Sequence, residues 1–540
     1  MNGFFRYPTP GNEPYLEYRA GSPERKEVLK EIARLKGERL EIPLIVGGEE
    51  IRTGNLVQCV IPHNHRHILA DCHVAGKKEV QMAVEAALKA KKEWEALAWD
   101  ERAGIFLKVA DLVAGPRRAL INAASMLCHS KSAQQAEADA SCEFIDFLRF
   151  NVSQMCEIFA EQSRNVSPGM WSRIEYRPLE GFILAISPFC FISAGGNLAC
   201  NPAMVGNTVI WKPSSLAVYT AYFYMKIFEE AGLPGGVINF VPCADDVIGE
   251  AVDHQALAGI HFTGSTEVFE HLWQRVANNI KKYRVYPRLS GETSGKGFVF
   301  AHNSADVQGL ITTIVRGAYE YQGQKCSAAS RAYIPGSVWR EMKPKLLEQL
   351  ATIKMGDVED FTNFMTAVID KRLFDKIRGY IDFARKSKDA EIICGGGCDD
   401  SVGYFVEPTA IVTSDPKFKT MVEEIFGPVI TIFVYDDDKL DEALELCDNT
   451  TAYALTGSIF ATDRKAITKL SNALRNAAGN LYINDKPIGA IIGEQPFGGA
   501  RKSGNNDKVG SKFNLMRWIS PRSIKETFCP PRDYRYSYME

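Results

Sequence analysis

No G-x-G-x-x-G run occurs in the 540 residues, so the ordinary phosphate-binding turn of a dinucleotide domain is missing. Charge of one sign is missing too. The 63 basic and 66 acidic residues are interspersed and leave a net charge of −3, which excludes a basic footprint for nucleic acid or an anionic membrane surface. Histidine is scarce, at 9 residues, and no histidine or second cysteine pair joins Cys394 and Cys398 to complete a zinc set, so no metal is expected. Gly181 to Trp211 carries no charged residue over a length that exceeds the about 20 residues of a membrane span. Pro188, Gly195, Gly196, Asn197, Asn201 and Pro202 interrupt it, which excludes that reading and with it a membrane partner. The N-terminus holds Glu13, Glu17 and Glu24 among prolines and glycines and reads as neither signal nor transit peptide. The 13 cysteines are scattered and odd in number, as expected of free thiols in a reducing compartment. There is no internal repeat or low-complexity tract.

What is present is an ordinary globular composition, 46% hydrophobic and 24% charged, long enough for two or three domains. Helical spacing of apolar residues marks Glu27 to Arg39, Lys78 to Leu97, Arg102 to Leu112 and Gln134 to Met155. In the last of these, Glu137, Asp139, Glu143 and Asp146 are expected on a solvated face. From Phe182 strands and helices alternate. Strand Phe182 to Ile186 leads to a buried helix through Ala203 and strand Thr208 to Trp211. A helix from Tyr219 to Ala231 then stops at Gly232, before strand Val237 to Val241, a helix near Val247 to Val252 and strand Gly259 to Phe262. This rhythm predicts a doubly wound parallel sheet. Ligands of such sheets bind at the C-terminal strand ends, where Lys212, Pro213, Ser214, Gly264 and Ser265 fall, and a phosphate-bearing dinucleotide fits there. A second α/β region follows Glu292. The tail from Trp518, with Pro530-Pro531 and several tyrosines, reads as an exposed arm able to dock on another subunit.

Gly323-Gln324-Lys325-Cys326-Ser327-Ala328-Ala329 sets a cysteine between a flexible glycine and small residues that leave room for a substrate. Such a thiol is either a nucleophile that needs a base elsewhere in the chain or a buried structural cysteine. Lys212 is likewise either a ligand or a strand cap, and Glu424 either a ligand or a surface acid.

Taken together, Ser187-Pro188-Phe189-Cys190-Phe191, Gly291-Glu292-Thr293-Ser294-Gly295-Lys296 and Gly323-Gln324-Lys325-Cys326-Ser327 form a constellation with further motifs. These are Trp211-Lys212-Pro213-Ser214, Phe262-Thr263-Gly264-Ser265, Glu423-Glu424-Ile425-Phe426-Gly427-Pro428 and Pro496-Phe497-Gly498-Gly499. The set resembles the aldehyde dehydrogenase superfamily over nearly the whole chain. Gly21 to Arg25, Gln322 to Arg331 and Asn476 to Lys486 are most similar to its Δ1-pyrroline-5-carboxylate (glutamate γ-semialdehyde) dehydrogenase branch.

The resemblance implies an α/β fold with a Rossmann-type NAD domain (1–161 and 181–293), an α/β catalytic domain (294–504) and a small β oligomerisation arm (162–180 and 505–540). The implied protein is a homodimer or larger homo-oligomer of the mitochondrial matrix or cytoplasm. Its implied activity is NAD-dependent oxidation of glutamate γ-semialdehyde, a small-molecule aldehyde, to glutamate in proline catabolism. Cys326 would attack the aldehyde carbon, the thiohemiacetal would lose hydride to NAD, and Glu292 would activate the water that hydrolyses the thioester. Lys212, Ser214, Gly264, Ser265, Glu424 and Phe426 would hold NAD. Phe191 and Phe497 would clamp the aliphatic part of the substrate, Ser327 would help hold it, and Glu143 would face its ammonium.

Three positions depart from the pattern the resemblance implies. Cys190 stands where an asparagine amide would donate to the oxyanion, and a thiol is a poor donor. Ala490, after Gly489, stands where a serine would anchor the substrate carboxylate, and Ser294 replaces a glycine. The alternative reading is therefore a catalytically impaired homologue, an NAD-binding or scaffold protein.

Overall fold

The computed structural model describes residues 5–539, so the outer limits of the expected domains, at 1 and 540, lie outside the described residues. Two seven-stranded sheets carry the architecture. In the first, the spatial order is Arg288–Glu292, Leu257–Thr263, Phe182–Ile186, Thr208–Lys212, Ile238–Phe240, then the hairpin Leu44–Val46 and Glu49–Ile51. The first five strands are parallel and the hairpin runs antiparallel. Phe182–Ile186 and Thr208–Lys212 are buried at every residue, which is why they read as unbroken apolar runs. Phe182–Ile186 and Leu257–Thr263 are neighbours although two other strands separate them in the chain. Strand order reverses between them, and a crevice opens there at the C-terminal strand ends.

The second sheet runs Ala390–Cys394, Thr409–Thr413, Val429–Tyr435, Ala329–Pro335, Gly297–Ala301, Thr456–Phe460, Asn480–Ile483, with only Ala390–Cys394 antiparallel. The two sheets are joined by the four residues between Glu292, which ends a strand of the first, and Gly297, which starts a strand of the second. Gly297–Ala301 pairs with Ala329–Pro335, so the segment ahead of Ala329 is carried to the same seam.

Met170–Pro178 and Ile519–Thr527 form a two-stranded antiparallel ribbon. The part of the tail from 505 to 518, included in the expected arm of 162–180 and 505–540, lies outside this ribbon. Asn505 donates its amide N–H to Gly291, Phe497 and Val509 exchange backbone hydrogen bonds, and Trp518 is completely buried. The tail leaves the core only after Trp518 because that indole fills a gap over the first sheet beside His261.

The expected solvated face of the Gln134 helix is also corrected. Glu137, Asp139 and Asp146 are buried and Glu143 is half-buried. The helix is a short α-turn Ala133–Ala136, a π-helical stretch Glu137–Glu143 and an α-helix Phe144–Ala160. Phe144–Ala160 is buried over most of its surface, with only Glu157 and Ala160 exposed, and has little wet face to offer. The acids are compensated inside the protein instead. Glu137 receives Arg118 Nη2 at 2.5 Å, Asn122 Nδ2 at 2.7 Å, the Tyr18 hydroxyl at 2.8 Å and the Leu16 N–H at 2.9 Å. Asp146 receives Asn12 Nδ2 and the Glu13 N–H. These bonds tie residues 12–18 to the helices behind them. Glu137→Ala is expected to cost about 3 kcal/mol, because the Asn122, Tyr18 and Leu16 donors lose their acceptor and buried Arg118 keeps Glu13 as its one carboxylate partner beside the Pro14 carbonyl. A drop in the urea or thermal midpoint checks this.

Candidate active site

Cys326 lies between the turn Glu320–Gly323 and the strand Ala329–Pro335, at the seam of the two sheets. Gly295 approaches it so closely that a Cβ on that glycine would stand 2.0 Å from the Cys326 carbonyl oxygen. Glu292, three residues earlier, is buried, and its Oε1 has no hydrogen-bond partner. Burial pushes its carboxyl up to about 8, opposed only by the Lys508 ammonium. The Cys326 thiol is raised too, first by burial and then by Glu292, Cys190 and Glu424 facing it. At neutral pH the site therefore holds a thiol beside a largely protonated acid. Once Glu292 loses its proton, it is a base poised close to working pH.

Cys326 and Cys190 both line a crevice of about 460 Å³ that also takes in Lys212, Ser214, Gly264, Ser265, Glu424 and Phe426. All six residues expected at the cofactor thus share one cavity. Lys212 ends its strand and pairs with Asp245 Oδ1 at 2.7 Å. Ser265 caps the 13-residue helix Thr266–Asn278, accepting the Val268 N–H at 3.3 Å, so the positive end of that helix opens toward the crevice. A Cβ on Gly264 would stand 2.7 Å from the Phe262 ring. Glu424 Oε1 receives the Gly295 N–H at 2.7 Å, and the Phe426 ring meets Phe189 edge-on at 5.7 Å.

A larger cavity of about 980 Å³ is lined by Glu143, Phe191, Gly489 and Ala490 together with Lys325, the residue before Cys326. Burial and the Asp139 carboxylate push Glu143 up to about 8, and Ser193 Oγ donates to it at 3.1 Å. The remaining expected substrate residues lie elsewhere. Phe497 lines a small cavity beside Glu292 and Lys508. Ser327 is buried, and its carbonyl accepts Thr456 Oγ1 at 3.0 Å.

Comparison with known proteins gives this geometry a family. The model of the aldehyde dehydrogenase family matches residues 51–524. The chain belongs to the aldehyde dehydrogenase family. It is 50% identical over 535 residues to the mitochondrial delta-1-pyrroline-5-carboxylate dehydrogenase of Dictyostelium discoideum, covering 98% of this chain and 96% of that protein. It is 49% identical over 531 residues to the mitochondrial human protein of the same name, covering 98% and 94%. The crystal structure of the Mycobacterium tuberculosis delta-pyrroline-5-carboxylate dehydrogenase bound with NAD superposes with a TM-score of 0.96 at 48% identity, over 100% of both chains.

Within this aldehyde dehydrogenase the three departures are visible as contacts. Ser294 is absorbed easily: it lines the crevice with Glu424, and its carbonyl accepts Ser503 Oγ at 2.7 Å. Cys190 is buried, and burial pushes its thiol up to about 12, so it stays S–H. Ala490 offers the larger cavity a methyl group. Sequence reasoning missed Lys131 and Asp139, which frame this region. Lys131 Nζ pairs with Asp139 and donates to the Cys190 carbonyl at 2.9 Å. Asp139 in turn accepts the N–H groups of Ile192 and Ser193. The dense apolar run on both sides of Asp146, from Phe144 to Leu148, was the available signal that neighbouring acids had to be inside.

Proposed function

We propose that this protein oxidises glutamate γ-semialdehyde to glutamate with NAD, through a covalent intermediate on Cys326. What supports the reading is that Cys326 lines the crevice with the expected cofactor residues while the buried Glu292 carboxyl, close enough to act on its thiol, lines a small cavity beside it, and a second cavity is reached at Lys325. The names of the relatives carry the choice of substrate.

The crevice suits a dinucleotide: a helix N-terminus and a lysine at a parallel strand end converge on it, and Gly264 keeps a Cβ out of its wall. Lys212, Ser214, Gly264 and Ser265 would hold the adenosine and pyrophosphate half. Glu424 would hold the nicotinamide ribose, and Phe426 would pack near the ring. NAD, when bound, supplies the hydride acceptor. Cys326 Sγ, its proton taken by Glu292, attacks the aldehyde carbon to give a thiohemiacetal. After oxidation to the thioester, Glu292, its first proton passed to solvent, takes a proton from water, and the hydroxide displaces the Cys326 thiolate to release the carboxylate. Glu143 and Phe191 orient the substrate in the larger cavity.

Because Glu292 is a base only when ionised and its pKa is raised, turnover is expected to climb as pH rises toward and through about 8. A kcat profile from pH 6 to 9 checks this, and Glu292→Gln should flatten the rise. A profile already level at pH 6 would remove Glu292 from the base role.

The assignment of residues 1–161 and 181–293 to the NAD domain and 294–504 to the catalytic domain follows from the same reading. The Met170–Pro178 and Ile519–Thr527 ribbon, with Trp171 exposed, is proposed as the arm of a homodimer or larger homo-oligomer. No helix among the described residues is long and apolar enough to cross a membrane, and the mitochondrial relatives favour the matrix, with the cytoplasm as alternative.

Two contacts favour a second reading, a catalytically impaired homologue that retains NAD binding. They are the protonated, buried Cys190 thiol at the oxyanion position and the Ala490 methyl in the substrate cavity. Steady-state NADH formation from the semialdehyde, beside calorimetric NAD binding, separates the two. Binding without turnover selects the second.

A further inference from the structure

The loop that presents Cys326 runs through three consecutive left-handed residues, Tyr321 (φ 52°), Gln322 (φ 54°) and Gly323 (φ 64°). Glycine is required at the third, where a Cβ would stand 2.3 Å from the Gly427 carbonyl oxygen. Tyr321 and Gln322 carry side chains that disfavour this backbone, so the turn persists only if surrounding contacts hold it.

Gln322 supplies such contacts. Its side chain is buried, at 2% exposure, and its amide is fully engaged. Nε2 donates to the carbonyls of Ala367 at 2.7 Å and Ser130 at 3.1 Å and to Thr366 Oγ1 at 2.9 Å, two hydrogens shared among three acceptors. Oε1 accepts the Thr366 N–H at 3.1 Å. The acceptors are themselves held in place. Ser130 ends the helix Arg118–His129 in a left-handed conformation, with its hydroxyl 2.7 Å from His63 Nδ1, and Thr366 Oγ1 also donates to the Ser130 carbonyl. Ser130 comes from the first half of the chain and Thr366 from the second, so the amide clasps both to the nucleophile loop.

We propose that Gln322 is a positioning residue for Cys326: its amide, anchored on Ser130, Thr366 and Ala367, holds the left-handed turn that sets where the Cys326 sulfur lies. The inference rests on the reading of Cys326 as nucleophile.

Gln322→Gly removes the anchor together with the backbone strain, whereas Gln322→Ala removes the anchor and keeps the strain. Each is compared with wild type in kcat, in KM for aldehyde and NAD, in thermal midpoint, and in the rate at which iodoacetamide alkylates Cys326, followed by peptide mass spectrometry. The expected result is a kcat about tenfold or more below wild type in both variants with KM for NAD nearly unchanged, because small misplacement of a reacting atom is costly. Cys326 alkylation should change about threefold or more, while Gln322→Gly keeps a near-native midpoint. Wild-type kcat and alkylation rate in a folded Gln322→Gly would overturn the proposal. So would losses that only track the unfolded fraction. Alkylation needs no turnover, so a wild-type protein that forms no NADH refutes the functional reading while the alkylation comparison still decides the role of Gln322.

Discussion

Cys326→Ala is expected to abolish aldehyde-dependent NADH formation, by about 10⁴-fold or more, while NAD binding measured by calorimetry stays close to wild type. The size of the effect follows from removing the atom on which the covalent intermediate forms, since loss of a nucleophile leaves only binding and electrostatic contributions. Retained NAD binding is expected because the crevice is lined by Lys212, Ser214, Gly264, Ser265 and Glu424, and Cys326 is one of many residues in its wall. Alanine is smaller than cysteine and creates no clash beside Gly295, so the seam between the sheets should survive. Turnover by Cys326→Ala comparable to wild type would sink the covalent route.

Cys190→Asn is expected to raise kcat by about 10²-fold. A preorganised amide donor at an oxyanion is worth about 10²–10³ in rate, and a neutral thiol is a weak substitute. The backbone at this position is already held: Lys131 binds the Cys190 carbonyl, and Asp139 binds the next two N–H groups, so the new side chain should enter an unchanged frame. The buried thiol stays protonated, so at most a weak S–H donor is lost. A gain in kcat with little change in KM for NAD would show that Cys190 limits the natural protein. An unchanged or lower kcat in a folded variant would mean that the remaining donors suffice, and the impaired reading would lose its main support.

Much of the site was legible in the sequence because its motifs are local. Lys212, Gly264 and Ser265 follow strands whose apolar runs announce a buried parallel sheet, and all three open into the predicted crevice. The distribution of the substrate residues was not legible. Phe191 and Phe497 were paired by resemblance, yet one lines the large cavity and the other a small one beside Glu292. Ser327, beside the nucleophile in the chain, is buried and its backbone carbonyl is held by Thr456 Oγ1. The acids between Glu137 and Asp146 were misplaced because local spacing does not reveal what packs over a helix.

The sequence by itself determined the fold class and family, and the residue types the chemistry needs, since periodicity, turn residues and short motifs are properties of neighbours along the chain. Only the tertiary structure decided which cavity each residue faces, that Glu292 sits unpartnered and poised near pH 8, and that residues as distant as Ser130 and Thr366 clasp the loop ahead of Cys326. Burial and long-range hydrogen bonds depend on the order in which strands assemble, and that order brings together segments more than 200 residues apart.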